Sequence, residues 1–343
     1  MNHLDSPLVC ICIPTYNAAA TIAATLHSVL TQTYANLKIL VIDNQSTDAT
    51  VDIVKKFDDP RITIYCNLMN IGVTGNFNRC IELATSKYTA IYHADDIYEP
   101  EMIATQVAFL ESYPHASAVF TEASLIDQTG RITGEIRQPA SLKTKNSLHD
   151  FSIVFKALLR HSNFLVCPSV MTSTYVYRQH IKVWRGDLFG PSADLDVWLR
   201  MLEQGPIGIL PKKLMRHRIS NAQQSENVRM STNRSAFFTV MDYHLGKAEV
   251  QTQLSPVDLI NYSRLERRDQ VMRATNALIN KQPDLAAQLC PDIFSVDLMR
   301  SALQSQRGFF VLILTTYIRL MLMLGLYTIA SSSLRRIKKI IQK

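Results

Sequence analysis

The sequence predicts an α/β fold: a mixed, mostly parallel sheet flanked by helices, followed by a helical C-terminal region. Three observations carry this. Short apolar runs rich in β-branched residues alternate with stretches of helical periodicity through the first hundred residues. The links between them are short, as in β-α-β units that build a parallel sheet with helices on both faces. Each apolar run ends in a polar loop, so these loops gather at the carboxyl edge where such sheets bind ligands.

The elements follow in order. Leu8–Ile13 is a buried strand, stopped by Pro14. Ala18–Leu30 is a helix, with Ile22, Leu26, Val29 and Leu30 at helical spacing. Leu37–Ile42 is the second strand and ends in the polar cluster Asp43–Asp48, where Asp48 is placed to cap a helix over Ala49–Phe57. Arg61–Tyr65 is a third strand, Asn67–Gly72 a loop, and Thr74–Thr85 a helix. Tyr88–Tyr92 is a fourth strand that runs into His93-Ala94-Asp95-Asp96, and Pro100 opens a helix over Glu101–Tyr113. Strands are then expected at Ala118–Ile126, Arg131–Glu135, Pro168–Ser173 and Ile207–Leu210. Lys143–Ser147 reads as a loop, Asp150–Leu159 as a helix, and Asp194 as the start of another. Beyond Asn227, helices are expected at Ser235–Glu249, Pro256–Lys281, Pro283–Leu289 and Val296–Ser305. Two domains are expected, residues 1–226 and 227–343.

Charge and cysteines narrow the function classes. The net charge is +7, but the last ten residues hold five basic side chains and no acid. The remainder is nearly balanced, which argues against nucleic acid as a partner. The six cysteines are scattered through apolar runs without a CxxC pair, as in the reduced core of a cytoplasmic protein. The N-terminus lacks a basic stretch followed by an apolar one, so no signal peptide is expected.

Two adjacent carboxylates at a strand end, Asp95 and Asp96, suit a divalent cation such as Mn²⁺ or Mg²⁺ that keeps positions for phosphate oxygens. They would also suit a helix cap. The first strand-to-helix turn, Pro14–Ala18, has none of the glycines of a dinucleotide fold, and no GxxxxGK[ST] loop occurs. A nucleotide bound here needs a metal or cationic side chains at its phosphates.

The stretches ICIPTYNA (Ile11–Ala18), VIDNQSTDAT (Val41–Thr50), NIG with Asn78 (Asn70–Gly72), and YHADD (Tyr92–Asp96) resemble, in order and spacing, the motifs of family 2 glycosyltransferases. The likeness runs from about Leu8 to Ser225. It implies the GT-A fold, an inverting transfer from a nucleotide-diphosphate sugar, and a divalent metal. It places Thr15, Tyr16 and Asn17 at the base and ribose, with Tyr16 either stacked on a pyrimidine or packed on the helix. It places Asp43 and Asn44 where the family has two acids. The Asn44 oxygen can accept from a uracil N–H as an acid would, so a UDP- or dTDP-linked donor is expected. The metal motif departs from Asp-x-Asp: His93 stands first, as a metal ligand, a ribose or phosphate contact, or simply a strand-end residue, with Asp95 as the expected metal ligand and diphosphate contact, and Asp96 as a cap or supporting group. Asp194 matches the carboxylate that opens a helix and serves as catalytic base; the alternative is a helix cap alone, and the helix N-terminus would favour its ionised form. Asp196, two residues on, is the weaker candidate, and Trp198 is at core spacing.

Relatives often carry Arg-x-His after the last strand. Here Arg218 is followed by Ser220, so that His is missing, and His217 falls one residue early, on the other side of the strand from Arg218. Arg218 and the loop Asn221–Ser225 are expected at the phosphates. The QxxRW motif of processive relatives is absent, which implies single additions to a glycan or lipid-linked acceptor in cell-surface polysaccharide synthesis. The alternatives are a sugar-nucleotide pyrophosphorylase, whose glycine- and lysine-rich first loop is missing, and a non-catalytic glycan- or membrane-binding relative.

Phe309–Ala330 is apolar for 22 residues and interrupted by Arg319. It is long enough to span a bilayer, but a central arginine costs about 2.5–3.5 kcal/mol on insertion scales. Leu334–Lys343 puts Leu334, Ile337, Ile340 and Ile341 on one helical face and basic residues elsewhere, the pattern of a helix lying on an anionic membrane. Residues 309–343 are therefore expected to associate with the cytoplasmic leaflet, spanning or interfacial. A buried helical hairpin or an oligomer interface is the alternative.

Overall fold

A computed structural model describes residues 6–145, 147–219, 230–293 and 296–341. The chain divides into two compact units, residues 1–158 with 163–220, and residues 159–162 with 221–343.

In the first unit, β1 (Val9–Thr15), β2 (Leu37–Asp43), β3 (Ile62–Cys66) and β4 (Tyr88–Ile91) pair in parallel in the order β3-β2-β1-β4. They are joined by α1 (Ile22–Leu30), α2 (Thr50–Lys55) and α3 (Gly72–Leu83). β1 and β2 are buried along nearly their whole length, as continuous apolar strands are when both sheet faces are covered. Beyond β4 come β5 (Ile97–Tyr98), α4 (Met102–Ser112), β6 (Ala118–Ile126), β7 (Ile132–Ile136), β8 (Leu148–His149), α5 (Phe151–His161), β9 (Met171–Ser173), α6 (Gly186–Phe189), α7 (Ala193–Leu202) and β10 (Ile207–Arg218). The short β9 lies antiparallel between β4 and β6, and β10 runs parallel to β6. β1, β2, β4, β6 and β10 therefore all point their carboxyl ends at one edge. β5 turns back antiparallel onto the end of β10, pairing Ile97 with Arg216 and Tyr98 with Met215. That pairing draws the His93–Asp96 turn to the end of β10.

The departures from expectation have local causes. β10 does not stop before Pro211; two register shifts between Leu210 and Met215 accommodate the proline, and the strand continues to Arg218. β9 is shorter than Pro168–Ser173 because Pro168 sits in a 3₁₀ turn, Cys167–Ser169. α1 begins at Ile22, since Ala18–Thr21 forms a turn in which the Ala18 carbonyl accepts from the Thr21 and Ile22 amides. Asp194 is the second residue of α7, and Ser192 holds the cap position. Trp198 is fully buried, as its spacing predicts.

In the second unit, α8 (Ala236–Leu245) and α9 (Ala248–Gln251) replace one expected helix, divided at Gly246. α10 (Pro256–Ile279), α11 (Pro283–Leu289), α12 (Val296–Gln304), α13 (Gln306–Met323) and α14 (Tyr327–Ile341) follow. Their core joins Val271, Ala274 and Leu278 of α10 to Ala286, Leu298, Val311, Leu314, Ile318, Ala330 and Leu334. The apolar stretch 309–330 is thus two helices, and Gly325 at φ +67° makes the turn between them. The left-handed region is open to glycine without strain.

Candidate active site

The carboxyl edge of the first unit gathers the motif residues. Thr15 ends β1, buried, with its hydroxyl 3.4 Å from the Asp43 carboxylate at the end of β2. Asp43 also accepts from the Ser46 amide at 2.9 Å and the Ser46 hydroxyl at 2.5 Å. Asn17 accepts from the Thr47 amide at 2.8 Å and donates its own amide to Ser46. The two loops after β1 and β2 thus brace each other, with Asn17 and Gln45 both in the left-handed region, at φ 49° and 62°. Such conformations in non-glycine residues persist where surrounding bonds enforce them. Tyr16 lies between and is 50% exposed, so its ring stands clear of the core.

Asn44 corrects the expectation. Its side chain is buried and its amide is saturated: the oxygen accepts from the Ile71 amide and from Asn67, and the nitrogen donates to Asn70 and to the Gly72 carbonyl. The Ile71 N–H fixes which end is oxygen. With both lone pairs and both hydrogens engaged, Asn44 organises the 67–72 loop instead of reading a base.

The His93–Asp96 turn is held at three points. Tyr98, stacked on Tyr92 at 3.8 Å between ring centroids, accepts from the His93 amide at 2.7 Å. Thr25 donates to the Asp96 carbonyl at 2.8 Å. Arg218 Nε donates to the Asp95 carbonyl at 2.8 Å. So fixed, the turn buries the Asp96 side chain completely. Its carboxylate accepts from the Arg218 amide at 2.8 Å, lies 3.2 Å from Nδ1 of His217 by either oxygen, and lies 3.7 Å from Nδ1 of His93. His93, Asp96 and His217 can each offer one ligand atom, all within 4.8 Å of one another.

This cluster fits a divalent cation. Nε2 of His93 is buried without a hydrogen-bond partner among the described residues, an orphan that a ligand would satisfy. Burial pushes the His93 pKa below its ordinary value, against the upward pull of the Asp96 and Asp95 carboxylates. The imidazole is then neutral, the form that binds metal. Two imidazoles and one carboxylate favour Mn²⁺ over Mg²⁺, which prefers oxygen throughout. His93 is where the sequence places it. The carboxylate partner differs: Asp95 lies outside the cluster, because the braced turn aims Asp96, not Asp95, at the strand end.

Arg218 also departs from expectation. It is 8% exposed, and its guanidinium donates to the carbonyls of Asp95, Asp127 and Gln128. It ties the loop after β4 to the loop after β6. Strand alternation does separate His217 from Arg218, as the sequence implies, but His217 takes the Asp96 side. Ser220 and the expected phosphate loop, Asn221–Ser225, lie outside the described residues.

Asp194 reaches this region from α7. Its carboxylate is partly buried and accepts from the Leu195 amide at 2.8 Å. Burial raises its pKa to about 6, outweighing the lowering by backbone N–H groups at the helix start. The helix start does favour the ionised form, as expected, but burial is the larger effect. Burial pushes the Cys167 thiol pKa up, and the charges of Asp194 and Asp96 both add to this. An aromatic chain also links the sites: Phe77 meets the His93 ring edge-on at 5.9 Å and Trp184 at 4.5 Å, and Trp184 meets Trp198 of α7 at 5.7 Å. Asn78 accepts from the Trp184 amide at 2.7 Å.

Asp196 is spoken for. Fully buried, it pairs with Arg185 and, at 3.0 Å, with Arg200, whose other nitrogens donate to the carbonyls of Ile181 and Val183. It anchors the chain ahead of α7.

Sequence reasoning missed Asp96 and His217 as cluster members and Phe77 and Trp184 as supports. His217 carried a readable signal, since a strand-end residue opposite Arg218 faces whichever side Arg218 does not.

A model of the family described as Glycosyl transferase family 2 matches residues 10–180. An uncharacterized glycosyltransferase of Haemophilus influenzae is 26% identical over 277 residues, covering 79% of this chain and 84% of that one. The UDP-Glc:alpha-D-GlcNAc-diphosphoundecaprenol beta-1,3-glucosyltransferase WfaP of Escherichia coli is 30% identical over 200 residues, covering 58% and 71%. Among solved structures, S. aureus TarS 1–349 in complex with UDP-GlcNAc superposes with a TM-score of 0.60 at 15% identity, covering 93% and 92%. That likeness establishes the GT-A type of fold.

Proposed function

Because this chain belongs to family 2 of the glycosyltransferases, we propose that it transfers one sugar at a time, with inversion, from a UDP- or dTDP-linked donor to a hydroxyl of a glycan or lipid-linked acceptor. Asp194 carries this reading: a partly buried carboxylate at the start of α7, with its pKa raised to about 6 by burial, whose charge acts on Cys167 as that of Asp96 does. Such a group is ionised at neutral pH yet basic enough to take a proton, and general-base catalysis contributes about 10²–10⁴-fold. As the acceptor hydroxyl attacks the anomeric carbon, its proton goes to Asp194, the bond to the nucleoside diphosphate breaks on the opposite face, and the configuration inverts.

Thr15, Tyr16, Asn17 and Asp43 line the donor's base and ribose side, with Tyr16 free to stack on a pyrimidine. Asp95, partly exposed at the same edge, stands toward the diphosphate. His93, Asp96 and His217 would hold a divalent cation, Mn²⁺ in preference to Mg²⁺. When bound, it neutralises charge developing on the leaving diphosphate. Residues 1–226 form the transferase domain in this reading, and residues 227–343 a helical C-terminal region. WfaP, by its name, uses UDP-Glc and an acceptor on diphosphoundecaprenol. That supports a uridine donor, a lipid-linked acceptor, and a place at the cytoplasmic face of the membrane.

The test is donor turnover. Release of UDP or dTDP from a panel of nucleotide sugars is followed with Mn²⁺ and a synthetic polyprenyl-diphosphate sugar as acceptor. One donor should turn over, and Asp194→Asn should slow it by about 10²–10⁴-fold. Full turnover in the Asp194→Asn variant would refute the assignment of the base.

A further inference from the structure

We propose that α13 and α14 dock this protein on an anionic bilayer surface, lying in the interface and not crossing it. The observation is an exposed apolar stripe that no described residue covers. Phe309, Ile313, Leu320 and Met323 recur at helical spacing along the outer side of α13, exposed by 56, 50, 49 and 83%. Leu324 and Tyr327 extend it around the Gly325 turn. Thr316 interrupts the row between Ile313 and Leu320, its hydroxyl held by the Leu312 carbonyl, and apolar side chains exposed on one side of a helix mark an interaction surface.

Charge selects the occupant. From Leu298 to Lys343 the chain carries eight basic residues (Arg300, Arg307, Arg319, Arg335, Arg336, Lys338, Lys339, Lys343) and no acid. An apolar strip beside a wholly basic flank complements anionic headgroups over acyl chains. A second copy would bring two such flanks together, which is repulsive.

The packing of α13 favours lying over crossing. Among the described residues it is the one helix long and apolar enough to cross a membrane. Its 18 residues span about 27 Å at ~1.5 Å per residue, short of a hydrocarbon core of about 30 Å. Val311, Leu314 and Ile318 on its inner side belong to the core built with α10. Arg319 donates to the carbonyls of Cys290 and Pro291. Insertion across a bilayer would take these contacts apart, whereas docking by the outer stripe leaves them intact.

The experiment is flotation of the full chain with phosphatidylcholine vesicles, with and without phosphatidylglycerol, for wild type, Met323→Glu and Arg336→Glu. Both side chains are exposed, and circular dichroism and melting confirm that the variants fold. Wild type should float only with the anionic vesicles and be released by alkaline carbonate. Met323→Glu should bind at least tenfold more weakly. Arg336→Glu should lose about fivefold or more, from the attraction each basic residue contributes near such a surface. Turnover of a water-soluble acceptor should be unchanged in both variants, which separates docking from catalysis. Retention after carbonate would make α13 a spanning helix and overturn the proposal. So would equal binding by all three proteins, no vesicle binding, or a self-associated species that Met323→Glu dissolves without any vesicle binding.

Discussion

Replacing Asp194 by Asn separates a catalytic base from a helix-capping residue, because the two roles predict opposite changes in stability. Burial raises the Asp194 pKa from 3.8 to about 6. A carboxyl whose folded pKa lies above its unfolded value holds its proton more tightly when folded. Folding stability is therefore lost as pH rises from about 3.8 through about 6, and the whole cost is present above that. Two pH units at 1.36 kcal/mol each give on the order of 3 kcal/mol at pH 7.5 as an upper bound, and about half that at pH 5. Partial exposure of the side chain lowers both figures. Asn cannot ionise, and its oxygen still accepts from the Leu195 amide. Asp194→Asn should therefore melt several degrees higher at pH 7.5, with a smaller gain at pH 5, while turnover falls by about 10²–10⁴. Thermal melts at the two pH values, with donor turnover measured on the same preparations, check both halves. A variant less stable at pH 7.5 with turnover intact would reduce Asp194 to a structural residue and refute the reasoning.

Four further outcomes follow from the same geometry. In the wild type, kcat/KM should fall about tenfold per pH unit below about 6 as Asp194 takes up its proton, seen in a pH–rate profile. His217→Ala should weaken Mn²⁺ binding at least tenfold by calorimetry, and by more than Asp95→Asn does, since Asp95 lies outside the cluster. Asn44→Asp restores the acid common in the family, yet should destabilise by about 1–3 kcal/mol in denaturant titrations. A carboxylate there would face the Asn70 oxygen and the Gly72 carbonyl with no hydrogen to give. Asp196→Ala should cost about 3–5 kcal/mol in the same titrations, because it removes the carboxylate that two arginines share in the interior.

What the sequence reveals and what it hides divide along physical lines. β1, β2 and β4 were legible because a strand buried on both faces must be apolar throughout, and the polar residues that stop it mark the sheet edge. Thr15 and Asp43 end their strands at that edge and His93 follows β4, as that pattern implies. The pairing of β5 with β10 was not legible: two residues carry no period, and Pro211 hides the continuation of β10. Yet that pairing brings Asp96 to His217. Asn44 misled for a related reason. An amide can replace an acid toward a base, and only the position of the Ile71 N–H shows that its oxygen is already engaged. The Asp194 pKa depends on how deeply α7 begins, which no local pattern encodes. For α13, hydropathy alone left spanning and interfacial placements open, and the inner contacts of Val311, Leu314 and Ile318 are the argument for the interfacial one proposed above.

The most direct test of the central claim is calorimetric titration of UDP, dTDP, GDP and CDP into wild type and His217→Ala, each with Mn²⁺, with Mg²⁺, and with chelator. The account predicts that one pyrimidine diphosphate binds tightly with Mn²⁺, more weakly with Mg²⁺, and not with chelator, and that His217→Ala loses the Mn²⁺-dependent part. Binding that ignores both metal and substitution, or no binding of any nucleotide under any condition, would contradict it.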